Sequence, residues 1–140
     1  MTREVLLDTG PLVAFLDKRD AYHEWAKEQF SSVRAPLLTN EPVLAEACHL
    51  LRRVAGGRAA VIGLTRSGAV RIAFRLEQEA APVESLLRRY DSVPMSLADA
   101  CLVRMTELRD AGEVLTVDED FRIYRRHGRK VIPTIMPPRP

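Results

Sequence analysis

At 140 residues, with 46% hydrophobic and 29% charged positions, the chain has the size and composition of a single globular domain. No apolar run approaches the ~20 residues that a membrane-crossing helix needs, and no leader pattern precedes the first strand, so a cytoplasmic protein without a membrane partner is expected. The net charge of +2 excludes a global field that by itself demands a polyanion.

The basic residues are nearly all Arg, with Lys at only three of 21 positions. Arg grips phosphate with two parallel hydrogen bonds, as Lys cannot, although a GC-rich coding bias gives the same composition. Cys48 and Cys101 stand in helical patterns without a CxxC motif or a disulfide framework, and two buried, reduced thiols are expected.

The first strand is expected at residues 4–8, where Val5, Leu6 and Leu7 end on Asp8. Helical patterns follow at 11–17 and 21–32, then a strand at 36–39. A helix at 41–55 carries Val43, Ala47, Leu50, Leu51 and Val54 on one stripe, with Pro42 in its first turn and Gly56-Gly57 at its end. A helix at 58–67 leads to a strand at 69–74, and a helix at 77–90 to a second one at 96–110. The latter is apolar nearly all round, so packing on several sides is expected. A strand at 114–117, a helix at 119–126 and a strand at 130–133 complete the domain, 1–136, and residues 137–140 are expected to be a disordered tail. Strands alternating with helices, and little alternation within the strands, predict an α/β fold with a parallel sheet covered on both faces.

Most acids read as solvated helix faces, Glu24, Glu28, Glu77, Glu79, Glu84 and Glu107 among them. Four ask for more. Asp8 and Asp118 each end a strand, and in a parallel sheet that edge is where ligands bind. Asp99 lies in the first turn of its helix, where it can join them. Glu46 lies at the margin of its helix stripe and could point into the same crevice. Each also has a structural explanation: Asp8 and Asp118 as helix caps, Asp99 as the second half of a capping box with Ser96, Glu46 as a solvent-facing side chain. If the four converge, two carboxylates ~4 Å apart repel by about 4 kcal/mol at an effective dielectric of ~20. Such a group needs a cation or a shared proton, and oxygen-only ligands favour Mg²⁺ or Mn²⁺.

"VLLDTGPLVAFLD", "TNEPVLAEACHLL", "SLADACLVRMTE" and "VLTVDEDFRIYRR", in that order, resemble the four acid-bearing segments of the PIN domain, in particular the VapC-type ribonuclease toxins of toxin–antitoxin pairs. The resemblance implies a three-layer sandwich around a parallel, roughly five-stranded sheet, and a metal-dependent endoribonuclease using Mg²⁺ or Mn²⁺. By it, Asp8, Glu46, Asp99 and Asp118 are the catalytic, metal-binding acids, with Asp120 able to share the role of Asp118 and with Thr9 and Thr116 supporting. It also implies an RNA substrate, a cognate antitoxin protein and a homodimer. Arg122, Arg125, Arg126 and Arg129, with Lys130, form a basic cluster that could hold RNA phosphates or simply face solvent, and Arg52, Arg53 and Arg58 carry the same ambiguity. Tyr22 and Trp25 are expected to pack a helix pair or the dimer.

Three other readings compete. A PIN nuclease of RNA processing or quality control shares every residue named. A receiver-like signalling domain would want paired acids after the first strand, where Asp8 stands alone. The spacing of Glu46 and His49 matches one half of a di-iron site, but no second copy exists.

Overall fold

The computed structural model describes residues 3–139. Five parallel strands form the central sheet: β1 (Glu4–Leu7), β2 (Leu37–Thr39), β3 (Val70–Ile72), β4 (Gly112–Leu115) and, after a short hairpin of β5 (Arg125–Arg126) and β6 (Lys130–Val131), β7 (Thr134–Ile135). Their order across the sheet is β3-β2-β1-β4-β7. The central β1 pairs with both neighbours, Leu6 beside Leu38 and Leu7 beside Leu115. Val5, Leu6 and Leu7 are correspondingly buried, as a strand covered on both faces requires.

This order makes the chain run outward from β1 through β2 to β3 and then return to β4 on the other side of β1. The gap between the C-terminal ends of β1 and β4 is therefore the topological switch point, where a crevice opens in such sheets.

Six helices flank the sheet: α1 (Thr9–Leu16), α2 (His23–Ser32), α3 (Glu41–Leu50), α4 (Gly57–Ser67), α5 (Ala80–Arg89) and α6 (Leu97–Leu108). As its composition predicts, α6 is the internal one, with Ala98 to Val103, Met105 and Thr106 all buried. It packs against α3, α5 and the sheet, while α1 packs against α2 and α3. Tyr22 meets Trp25 edge-on in the turn leading into α2. Cys101 is buried and Cys48 only half-buried, and both are free thiols.

Several expected boundaries move, each for a local reason. The fifth strand of the sheet is not 130–133 but β7. Pro133, which has no N–H to give a ladder, ends the earlier run, and its carbonyl instead accepts from Val114 N at 2.9 Å. The residues before it pair antiparallel with β5, Arg126 opposite Lys130, after a turn in which His127 and Gly128 take φ of 52° and 81°. The helix expected to 55 stops at Leu50, and Gly56, with φ of 71°, precedes α4. The helix expected over 119–126 is one 3₁₀ turn, Glu119–Arg122. Glu79 and Glu107 are not solvated: both are paired with Arg104 of α6, at 2.7 and 3.2 Å. Residues 137–139 carry no regular secondary structure, and Pro140 lies outside the described residues.

One close approach fixes the crevice. A Cβ on Gly10 would lie 2.4 Å from Val117 Cγ2, so only glycine lets the start of α1 sit against the segment after β4. Val117 is β-branched and cannot swing aside freely. Gly10→Ala is expected to destabilise the fold by about 1–3 kcal/mol, read as a lower urea midpoint with an unchanged m-value.

Candidate active site at the sheet switch point

Asp8 caps α1 immediately after β1. It is 5% exposed, yet both its oxygens are engaged: Oδ1 accepts from Thr9 N at 2.7 Å and Oδ2 from the Thr116 hydroxyl at 2.6 Å. Thr116, one residue past β4, turns its oxygen the other way and accepts from Asp118 N at 2.9 Å. Asp118 in turn accepts from Asp120 N at 2.9 Å and so caps the 3₁₀ turn. One threonine hydroxyl thus ties the ends of the two central strands together across the switch point.

Asp99 enters from α6. Its backbone N–H donates to Ser96 Oγ at 3.0 Å, and Ser96 N donates back to Asp99 Oδ2 at 3.4 Å, which is the capping box. The same Oδ2 accepts from the Tyr124 hydroxyl at 3.0 Å.

Burial pushes the Asp8 carboxyl up from 3.8 to about 7. The hydrogen bonds from Thr116 and Thr9 oppose that rise, and the charges of Asp99 and Asp118 add to it. Asp99 is raised first by burial, against its bonds from Tyr124 and Ser96, and further by Asp118. Asp120 is raised by burial and then by Asp118. Asp8, Asp99 and Asp118 therefore lie within one another's fields, and Asp120 within that of Asp118, an acidic cluster in which each charge disfavours the next.

The PIN domain family matches this sequence over residues 5–126. The chain belongs to that family. Its fold is also similar to a solved structure, the VapC20 toxin of Mycobacterium tuberculosis, described as cleaving the sarcin–ricin loop. The two share 25% identity at a TM-score of 0.76, over 93% of this chain and 100% of the other. No curated protein matches it.

Within this PIN domain the structure brings Asp8, Asp99, Asp118, Asp120 and Thr116 together. Glu46 is exposed on α3. The buried stripe of α3 is Val43, Leu44 and Ala47, whereas Leu50, expected on it, is 52% exposed, and Glu46 lies on that outward side. Among the described residues Glu46 makes no hydrogen bond or ion pair, and the carboxylates acting on Asp8 are Asp99 and Asp118. Thr9 supplies its backbone N–H to Asp8, while its own buried hydroxyl has no hydrogen-bond partner among the described residues.

The donor set suits a hard cation: carboxylate oxygens, three of the acids raised by burial, with a hydroxyl beside Asp8 that has no partner among the described residues. Among the described residues no three His, Cys, Asp or Glu side chains converge on one ligating point. Mg²⁺ ordinarily keeps several waters and needs only one or two carboxylates, so the residues fit such an ion without a closed cage.

The basic cluster divides. Arg126 is 8% exposed and paired with Asp110 at 3.2 Å, a structural ion pair that takes it out of any phosphate-facing set. Arg125 spends its Nη1 on the carbonyls of Arg122, Ile123 and Tyr124, and Arg122 pairs with Glu119. Arg129 and Lys130 remain exposed, with no ion pair among the described residues. Arg52, Arg53 and Arg58 line an open cavity of about 610 Å³ at the α3–α4 turn. Sequence reasoning missed Tyr124. Its one signal was an aromatic interrupting the arginines of "FRIYRR".

The raised Asp8 carboxyl gives the metal-free protein a pH dependence. Between pH 3.8 and about 7 the folded state holds a proton that the unfolded state releases. The contribution to stability is therefore full below that window and is lost as pH rises through it, by an amount on the order of 4 kcal/mol. Asp8→Asn keeps the cap and removes the titration. Urea unfolding of the metal-free protein is expected to weaken from pH 4.5 to 7.5 in wild type and to change much less in Asp8→Asn.

Proposed function

We propose that this PIN domain is a metal-dependent endoribonuclease and the toxin of a toxin–antitoxin pair. The observation that carries the reading is the acidic cluster at the switch point, where Thr116 joins Asp8 to Asp118 and Asp99 enters from α6 within their fields. Similarity to a solved toxin whose description is RNA cleavage supports RNA as the substrate class.

In this mechanism Asp8, Asp99 and Asp118 are the acids that would supply the one or two carboxylates such an ion needs, with Asp120 and Glu46 as outer partners. When bound, Mg²⁺ or Mn²⁺ supplies a nucleophilic water at neutral pH and offsets charge at the scissile phosphate. Thr116 fixes the direction of Asp8 through Oδ2 and the position of Asp118 through its N–H. The buried Thr9 hydroxyl, without a partner among the described residues, would have a donor to spare for a water held beside Asp8. Burial of Asp8 and Asp99 keeps bulk water from screening the site. Arg129 and Lys130 are the cations of the C-terminal cluster left free to meet a phosphate backbone, with Arg122 joining when it leaves Glu119. A cytoplasmic location, a homodimer and a cognate antitoxin that covers the crevice belong to the same reading. Among the described residues no helix is long and apolar enough to cross a membrane.

Purified protein is expected to cut single-stranded RNA with Mg²⁺ or Mn²⁺ and to stop in EDTA. Asp8→Asn should lower cleavage by more than about 100-fold, beyond what loss of an outer-shell partner costs. Undiminished cutting in EDTA would overturn the reading, and growth arrest on expression of wild type but not Asp8→Asn tests the toxin assignment. Arg129→Ala with Lys130→Ala is expected to flatten the salt dependence of RNA binding by about 1.4 in log–log slope, whereas Arg126→Ala should act on stability. An unaltered slope returns Arg129 and Lys130 to solvent.

A further inference from the structure

Tyr124 is fully buried, an unusual place for a phenol unless its hydroxyl has a partner. That partner is Asp99 Oδ2, at 3.0 Å. The ring is held edge-on by two others, Tyr90 and Phe121, each with its centroid 5.2 Å away and at interplanar angles of 70° and 86°. The backbone beyond it is pinned as well. Tyr90 presents its own hydroxyl to Arg125 N as an acceptor at 2.9 Å. Arg126 pairs with Asp110, His127 N donates to Glu107 Oε2 at 2.7 Å, and Arg89 donates to the Gly128 carbonyl. Anchors from α5, α6 and the residues after α6 thus leave the phenol one place to point.

The effect on Asp99 is directional. Its capping box alone holds Oδ2 weakly, at 3.4 Å from Ser96 N. With Tyr124 added, Oδ2 has two donors, and Oδ1 has no hydrogen-bond donor among the described residues. A carboxylate bound on one oxygen by the protein keeps the other for a ligand.

We infer that Tyr124 is a positioning residue of the acidic site: its buried hydroxyl fixes Asp99 through Oδ2 and leaves Oδ1 to the divalent ion. This rests on the metal reading proposed above and extends it to a residue seven positions or more from any of the carboxylates first singled out except Asp118 and Asp120. Tyr124→Phe removes one oxygen and keeps the ring with both edge-on contacts, so the fold is retained.

The test is calorimetric titration of the metal-free, full-length protein with Mn²⁺, alongside cleavage kinetics. Tyr124→Phe is expected to bind Mn²⁺ about 10–100-fold more weakly, the usual effect of removing a partner behind a metal ligand, with kcat lowered and KM for RNA unchanged. In an Asp99→Asn background the same substitution should add no further loss of Mn²⁺ affinity. Wild-type affinity in Tyr124→Phe, or an equal loss in both backgrounds, overturns the inference and leaves Tyr124 as core filling. Absence of Mn²⁺ binding by wild type instead overturns the metal reading on which it rests. If Tyr124→Phe does not fold, Tyr90→Phe serves: it releases Arg125 N and with it the aim of the hydroxyl, so weaker Mn²⁺ binding is expected and unchanged binding overturns the inference.

Discussion

A single hydroxyl bridges the centre of this PIN domain. Thr116 gives its proton to Asp8 and takes one from Asp118 N, so the ends of β1 and β4 are spaced by a side chain that has just one donor and an oxygen to accept with. The sheet brings those ends near each other, because they flank the strand-order reversal. The hydroxyl sets how near, and the close approach of Gly10 to Val117 leaves no room for a side chain between them. Position and charge are then inseparable: a carboxyl buried that tightly cannot shed its proton as readily as one in water, and the neighbouring Asp99 and Asp118 charges raise it further.

The structural and the functional explanations of the acids are both true, of the same atoms. Asp8 and Asp118 cap helical turns and Asp99 completes a capping box, and in doing so each is held still with lone pairs to spare. Helix N-termini carry partial positive charge, which makes them a tolerable place for clustered carboxylates.

Much of this was readable from the amino-acid order, and for definite reasons. Strand β1 announced itself because a run covered on both faces has no alternation, and Asp8, Asp99 and Asp118 could be placed because strand ends and first helical turns are marked by local chemistry. Glu46, placed at the margin of its stripe, is exposed, as is Leu50 beside it, while Val43, Leu44 and Ala47 form the buried side of α3. The arginines after Asp118 were unreadable as a group, since whether an Arg meets phosphate, Asp110 or a carbonyl depends on which tertiary partner lies within reach. Tyr124 escaped for the same reason: nothing near it in sequence names Asp99. The run at 130–133 reads as the sheet's last strand, but Pro133 interrupts it and the His127-Gly128 turn folds it back on β5.

The family match ends at residue 126, yet the ladder beneath the crevice does not. Val114 N is satisfied by the Pro133 carbonyl and Thr116 N by that of Ile135. A chain trimmed to its recognisable segment would keep every acid and still strip the amide of the bridging threonine, leaving an edge strand where an interior one had been. Residues beyond the matched span are thus scaffolding under the acids inside it.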